Sequence, residues 1–97
     1  MEEYIYYNEL YDCYKKLLTK KQQDYFENYY FENLSLSEIA DTYHVSRNAV
    51  YKQLQLTVKK LIEYENKLGL YNKKQKLEEI IKHETNNCLK SELEKLL

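Results

Sequence analysis

The chain has 97 residues, is 43% hydrophobic and carries a formal net charge of −1. This length suits one domain, or one domain with an arm, and the apolar content suffices for a packed core. No apolar run approaches the ~18 residues that span a membrane, and the acidic, aromatic start MEEYIYY does not resemble a signal peptide, so we expect a cytoplasmic protein that does not bind membranes.

Turn-forming residues are almost absent, since the chain has no proline and one glycine, Gly69. Such a chain cannot easily make many hairpin turns, whereas its Lys, Glu, Leu and Gln residues are good helix formers. The composition therefore predicts an all-α fold, a small helical bundle.

Two helices are predicted in the N-terminal part. Residues 2–18 place apolar side chains every three or four positions, as in a helix with one buried face: Tyr7, Leu10, Tyr11, Tyr14, Leu17 and Leu18. Thr19 and Gln22 match a capping box that begins a second helix, which ends at Asn33 and Leu34. The predicted buried face of this helix is Tyr25, Phe26, Tyr29 and Tyr30.

A third helix is predicted from Ser35, because Glu38 completes another capping box and Leu34 can pack on Ile39 as a hydrophobic staple. Its inward side chains are Leu36, Ile39, Ala40 and Tyr43. Ser46 caps a fourth helix only three residues after Tyr43, so the connection is a tight turn. We expect His44 to be a turn residue there, since histidine tolerates a positive φ.

The fourth helix is predicted to run to about Lys67, with Gly69 as its C-terminal cap. Its inner stripe is Val50, Leu54, Thr57, Leu61 and Leu68. Beyond Gly69 a weaker apolar stripe predicts one long helix or two short ones: Leu77, Ile80, Ile81, Cys88, Leu93, Leu96 and Leu97. We therefore divide the chain into a helix-turn-helix domain, residues 1–69, and a C-terminal helical extension, residues 70–97.

The third and fourth helices meet the physical demands of a helix-turn-helix. Ala40 is small enough to lie where the two helices cross, Val45 anchors the turn, and Val50 with Leu54 locks the second helix inward. The opposite side of that helix is then free to enter a nucleic-acid groove, N-terminus first. The residues predicted to contact nucleic acid are Ser46, Arg47, Asn48, Tyr51, Lys52, Gln55 and Lys59.

Charge is distributed unevenly. Residues 1–46 carry nine acids and four lysines, for a net −5, whereas residues 47–82 carry nine bases and four acids, for a net +5. The basic half thus begins at Arg47, which gives modest support to a contact with phosphates. The twelve tyrosines could serve as platforms for base stacking, but most lie at core spacing, where a ring packs and its hydroxyl reaches water. Only Tyr51 falls on the polar face of the fourth helix.

Nothing in the sequence indicates an enzyme, a small-molecule substrate, a cofactor or a metal site. There is no glycine-rich phosphate loop and no nucleophile with a visible base. Cys13 and Cys88 are too far apart in sequence, and His44 and His83 too isolated, to indicate a zinc site. We interpret both cysteines as thiols in a reducing compartment.

The segment SLSEIADTYHVSRNAVY resembles the helix-turn-helix in the C-terminal domain of sigma factors. Residues 10–75, with the elements SEIA, VSR.AVY and YE.KLGLY, more closely resemble the YlxM-like family of small bacterial proteins. The resemblance implies an all-helical, wingless helix-turn-helix with an extended C-terminal helix. It also implies a regulatory or accessory role in the signal recognition particle pathway, because the family's genes lie beside that of the particle's GTPase.

Three hypotheses follow. The chain is a regulator that binds DNA through the fourth helix, an accessory factor that binds the RNA or the GTPase of the signal recognition particle, or a protein-interaction bundle that no longer touches nucleic acid. The few bases on the fourth helix imply weak binding by a monomer, so we expect a homodimer formed by the apolar side chains after Gly69. Packing of those side chains on the N-terminal tyrosines of the same chain is the alternative.

Overall fold

A computed structural model describes residues 2–83 and 87–96 of the chain. Within them the structure is built from six α-helices and contains no strand, which confirms the all-α prediction. The helices are α1 (Glu2–Tyr14), α2 (Lys20–Tyr30), α3 (Leu36–Tyr43), α4 (Arg47–Leu68), α5 (Leu70–Lys82) and α6 (Asn87–Glu94), and a 3-10 turn, Lys15–Leu17, follows α1.

Both predicted capping boxes are present. The Thr19 hydroxyl accepts a hydrogen bond from the Gln22 amide at 3.2 Å, and the Gln22 side chain accepts one from the Thr19 amide at 3.1 Å. Ser35 and Glu38 make the same reciprocal pair at 3.1 and 3.0 Å. The bond that the Ser35 amide donates lowers the pKa of the Glu38 carboxyl. These local bonds begin α2 and α3 where the sequence predicts.

The core consists of two adjoining clusters along α4, which packs against α1, α2 and α3. The first joins α1 and α2 to the middle of α4 through Leu10, Tyr11, Tyr14, Leu18, Phe26 and Leu61. The second joins α2 and α3 to the beginning of α4 through Tyr25, Ile39, Ala40, Val50 and Leu54. Helix α4 therefore supplies the common wall of both clusters.

The predicted first helix was wrong at its end. Helix α1 stops at Tyr14, and the 3-10 turn changes the direction of the side chains, so that Leu17 is 52% exposed. The change follows from the next cap: Leu18 has an extended backbone with ψ of 153°, ahead of the cap residue Thr19. A continuous helix through Leu18 would not permit that conformation.

Two further positions differ from the predicted buried stripes. Leu68, the last residue of α4, is 46% exposed. Tyr43 is 36% exposed, although its ring lies edge to face with Tyr25 at 5.0 Å. Its hydroxyl accepts a hydrogen bond from Asn28 at 3.1 Å, so this tyrosine lies at the rim of the core.

The C-terminal segment forms two helices, one of the two arrangements predicted. Helix α5 packs against α1 and α6 packs against α5, so part of the apolar stripe folds back on the same chain. Ile81 is buried and Leu77 and Leu93 are half-buried, but Ile80 is 56% and Leu96 71% exposed. The Cys88 side chain and Leu97 lie outside the described residues.

Candidate nucleic-acid interface

The turn between α3 and α4 is made by a left-handed residue. His44 has φ 56° and ψ 44°, and its amide donates to the Ala40 carbonyl, which also accepts from the Val45 amide at 3.0 Å. Val45 is half-buried and packs against the second cluster. The turn therefore ends α3 and brings Ser46 into position without the glycine that such turns often use.

The beginning of α4 is fixed by Ser46. Its hydroxyl accepts a hydrogen bond from the Ala49 amide at 3.0 Å, and its carbonyl accepts one from Val50 at 3.2 Å. The amides of Arg47 and Asn48 remain at the start of the helix, where amides have no intrahelical acceptor. Ser46 thus acts first as a helix cap, and only its hydroxyl proton is left for a ligand.

Packing of the buried side of α4 in the core fixes the orientation of its exposed side. Val50 is fully buried and Leu54 is 5% exposed, and both pack with Ile39 and Ala40 of α3. All seven predicted contact residues are exposed: Ser46, Arg47, Asn48, Tyr51, Lys52, Gln55 and Lys59. The fold therefore brings the predicted residues together on one side of a helix that is anchored by its other side.

Four of these residues form a row along α4, since Arg47, Tyr51, Gln55 and Lys59 follow one another at four-residue spacing. The Gln55 side-chain amide donates to the Tyr51 hydroxyl at 2.9 Å. This bond orders two side chains in the middle of the row and leaves a cation at each end.

In the part of the chain that the structure describes, the cations of this face form no ion pair within 4 Å. Within the described residues, the ion pairs closer than 4 Å are formed by Lys15, Lys20, His83 and Lys95. Arg47, Lys52 and Lys59 take part in none of them. Their charges are therefore available to an external anion such as phosphate.

An apolar groove adjoins this row. The sequence pattern does not predict it. We call it the tyrosine groove; it has a volume of about 620 Å³, and Tyr7, Tyr29, Tyr30, Leu36, Tyr51 and Val58 are among the residues that line it. Gln55 and Lys59 line it as well, so it opens beside the predicted contact face. The tyrosine spacing indicated a core, but it could not show that α1, α2 and α4 leave a gap between them.

A family model described as "Putative helix-turn-helix protein, YlxM / p13 like", UPF0122, matches residues 1–97. The chain belongs to the UPF0122 family. This finding confirms the YlxM-like resemblance, and it agrees with the helix-turn-helix that α3 and α4 form in the structure.

Individual UPF0122 relatives are similar over most of the chain. A UPF0122 protein of Staphylococcus carnosus is 53% identical over 66 residues, which cover 68% of this chain and 60% of the relative. One from a Geobacillus species is 46% identical over 81 residues, or 84% of this chain and 74% of the relative. The chain thus spans about three-fifths to three-quarters of the length of these relatives.

The UPF0122 chain also contains a polar joint between α1, α4 and α5. The Tyr14 hydroxyl donates to Glu65 at 2.6 Å and accepts from the Leu70 amide at 2.9 Å. The Glu65 carboxylate accepts from the amides of Tyr71 and Asn72 at 3.0 and 3.1 Å. Glu65 therefore caps α5, whose N-cap residue Gly69 has no side chain. Burial and the bond to Glu65 raise the pKa of Tyr14 to about 12.

The described part of the chain offers neither a metal site nor a membrane-spanning helix. Residues 2–83 and 87–96 contain no group of three or more His, Cys, Asp or Glu side chains that could hold a metal ion. No helix within those ranges is long and apolar enough to cross a membrane. Cys13 is a free, half-buried thiol, and burial raises its pKa.

Proposed function

We propose that this UPF0122 chain is a non-enzymatic, nucleic-acid-binding regulatory protein of the cytoplasm that uses the outer face of α4. One observation carries the proposal: the exposed row from Arg47 to Lys59 lies on a helix whose inner side, at Val50 and Leu54, is locked into the core. A helix held in this way can enter a groove without losing its own packing.

Each side chain of this face suits a particular part of a nucleic acid. An arginine such as Arg47 bonds guanine with two donors, and Asn48 or Gln55 can do the same with adenine. Lys52 and Lys59 suit phosphates, as do the first amides of α4 and the Ser46 hydroxyl. Tyr51 can contact a thymine methyl group or a phosphate. The chemistry therefore combines base contacts near the start of α4 with phosphate contacts along it.

We further propose that the protein acts in the signal recognition particle pathway, as the YlxM-like resemblance implies. The second candidate function is an accessory factor that binds the particle's RNA or its GTPase. The small number of cations on α4 favours this candidate, because weak monomeric binding suits a protein that is held by more than one component. A pull-down from the native cell distinguishes the two: particle components support the accessory role, and enriched promoter fragments support the regulator.

A homodimer is also part of the proposal. Binding that depends on few phosphate contacts weakens quickly with salt, and helix-turn-helix proteins commonly present two recognition helices one DNA turn apart. The exposed side chains of Ile80 and Leu96 support a contact between copies through the C-terminal extension, residues 70–97.

The test of the proposed face is Arg47→Ala, with Lys67→Ala as the matched control. Both side chains are exposed cations of α4, but they lie about 30 Å apart at 1.5 Å per residue. We expect Arg47→Ala to weaken binding to genomic DNA fragments or total cellular RNA by ~1–3 kcal/mol, measured by fluorescence anisotropy. Thermal stability should change by less than ~0.5 kcal/mol in both variants. Equal affinities of wild type and both variants would contradict the assignment.

A further inference from the structure

The tyrosine groove runs along the same helix as the proposed contact face. Tyr51 and Gln55 belong both to the exposed row and to the groove wall, and Lys59 borders the groove one turn later. Leu54, Val58 and Ile62 supply apolar lining from the adjacent side of α4. A ligand held by the cations of the row therefore has an apolar groove directly beside it.

The other wall of the groove is aromatic and ordered. The Tyr29 and Tyr30 rings lie edge to face at 5.0 Å, and the Tyr7 and Tyr30 rings do so at 6.4 Å. Tyr51 stands on the α4 side and is 46% exposed. Aromatic side chains fixed in this way present flat and edge-on surfaces to a planar ligand at little further cost in conformational entropy.

Two cations lie along the groove. Lys59 lines it, with the Glu63 carboxylate one turn beyond, and Arg47 lies one turn before the lining residue Tyr51. The Arg47 charge also opposes the rise in the Tyr29 pKa that the Tyr4 hydrogen bond and burial cause. A ligand that spans the groove would need a planar apolar part in the middle and anionic groups on either side. A nucleotide within a strand has this composition, because a phosphate flanks each base.

We infer that the tyrosine groove binds an unpaired base of a nucleic acid while Arg47 and Lys59 hold the flanking phosphates. This inference rests on the proposed function and names the class of nucleic acid: one with a single-stranded loop or bulge beside a helical stem. A continuous duplex cannot fill the groove, because its bases are stacked and expose only their edges. An unpaired base can stack on tyrosine rings with little sequence preference.

The volume and polarity of the groove fit a base. About 620 Å³ lies within the ~300–1,000 Å³ that is usual for small-ligand pockets. The lining is mostly apolar, and Gln55 and Glu63 supply the side-chain amide and carboxylate that can bond the polar edge of a base. Transfer of the apolar base faces out of water therefore drives binding. Hydrogen bonds to Gln55 and Glu63 limit the cost of removing the polar edge of the base from water.

The experiment compares two RNAs on the intact chain: a hairpin with a loop of unpaired nucleotides and a blunt duplex with the same stem. A 2-aminopurine in the loop reports stacking through quenching of its fluorescence. The groove is filled by Val58→Trp, and Leu56→Trp is the control, since Leu56 is 47% exposed on α4 and is not among the residues of the groove. Thermal melts check that both variants fold.

We expect the wild type to bind the hairpin about tenfold more tightly than the duplex, with quenching of the loop base. Val58→Trp should remove this preference and leave duplex binding unchanged, whereas Leu56→Trp should keep it. If Val58→Trp does not fold, a second pair decides: Tyr51→Phe retains the ring and should keep the preference, and Tyr51→Leu should lose it.

Three outcomes would count against these proposals in different ways. Equal affinity for both RNAs, unchanged by Val58→Trp, would overturn the groove assignment and leave the proposed function standing. Binding of neither RNA nor DNA by the wild type would overturn both. A change in the protein's own sedimentation on Val58→Trp, without an effect on RNA, would mean that a second copy occupies the groove.

Discussion

The helix-turn-helix and the C-terminal extension are both helical, yet they are held in different ways. Where α3 and α4 cross, the inward apolar side chains are enclosed, and Ile39 and Val50 are fully buried. In α5, Ile81 is buried at 7% exposure, while the adjacent Ile80 is 56% exposed. The extension is tied to the rest of the molecule by the polar joint of Tyr14 and Glu65 as well as by apolar contact.

This difference shows that an apolar stripe on a helix can either be buried by other helices or stay partly exposed. The stripe stabilises the helix-turn-helix because α1 and α2 cover it, whereas the stripe of the extension leaves Leu96, in the turn after α6, 71% exposed. The first region keeps the buried stripe of α4 inside and exposes the polar face that we propose as the nucleic-acid contact. The second presents apolar side chains to its surroundings, which is why we assign it to self-association.

The largest loss of stability should come from a substitution in the middle of α4. Leu61 is fully buried and Leu68, seven residues later on the same side, is 46% exposed. We expect Leu61→Ala to lower the free energy of unfolding by ~2–5 kcal/mol, because it leaves a cavity in the first core cluster. Leu68→Ala is the matched control and should cost less than ~1 kcal/mol. Urea denaturation measures both, and similar losses would show that the two positions are equally enclosed.

A substitution in the polar joint should cause an intermediate loss of stability. Tyr14→Phe keeps the buried ring but removes the hydroxyl that bonds Glu65 and Leu70, so we expect a loss of ~1–2 kcal/mol. Tyr64→Phe is the control, because the Tyr64 hydroxyl makes an exposed bond of 3.3 Å to the Leu17 carbonyl. Hydrogen exchange at the amides of α5 should become faster in Tyr14→Phe and stay unchanged in Tyr64→Phe. Unchanged exchange there would mean that the joint does not hold α5.

The same joint gives a pH dependence. The pKa of Tyr14 is raised from 10 to about 12 in the folded protein, so the folded state holds this proton more tightly than the unfolded state does. Its contribution to stability is therefore complete below pH 10 and is lost as the pH rises toward 12. The difference in stability between wild type and Tyr14→Phe should shrink over that interval.

The smallest effect on folding should come from the extension. Ile80→Lys alters an exposed side chain, so we expect a change in stability of less than ~0.5 kcal/mol, but it should prevent the proposed dimer. Lys76→Ala is the control on the same helix. Light scattering well above micromolar concentration gives the molecular mass of each. A wild type that remains monomeric there would contradict self-association, and a dimer that survives Ile80→Lys would place the interface elsewhere.

Much of the fold could be predicted from local chemistry. The pairs Thr19 with Gln22 and Ser35 with Glu38 begin α2 and α3 through bonds within four residues. Such bonds depend on no distant part of the chain. Gly69 ends α4 at φ 63° for the same local reason.

The errors arose where burial depends on a distant partner. Leu17 and Leu68 follow the apolar spacing, but the chain turns after Tyr14, and Leu68 in the last turn of α4 is left 46% exposed. Apolar periodicity predicts the direction in which a side chain points, but it does not predict which helix packs against that side chain. Similarly, the exposure of the α4 face that we propose as the contact could be predicted, because this face is the complement of a buried stripe, whereas the tyrosine groove could not be predicted.

The sequence by itself determined the starts and N-terminal caps of α2, α3 and α4, the tight turn at His44 and the outward direction of Arg47, Tyr51 and Lys52, but not the ends of α1 and α2, since α2 stops at Tyr30 and not at Asn33 and Leu34. These properties follow from bonds and angles within one or two helical turns. Only the tertiary structure decided that Glu65 caps α5, that Ile80 stays exposed, and that a tyrosine-lined groove opens beside the contact face. Each of these depends on the relative placement of helices far apart in the chain, which local patterns do not encode.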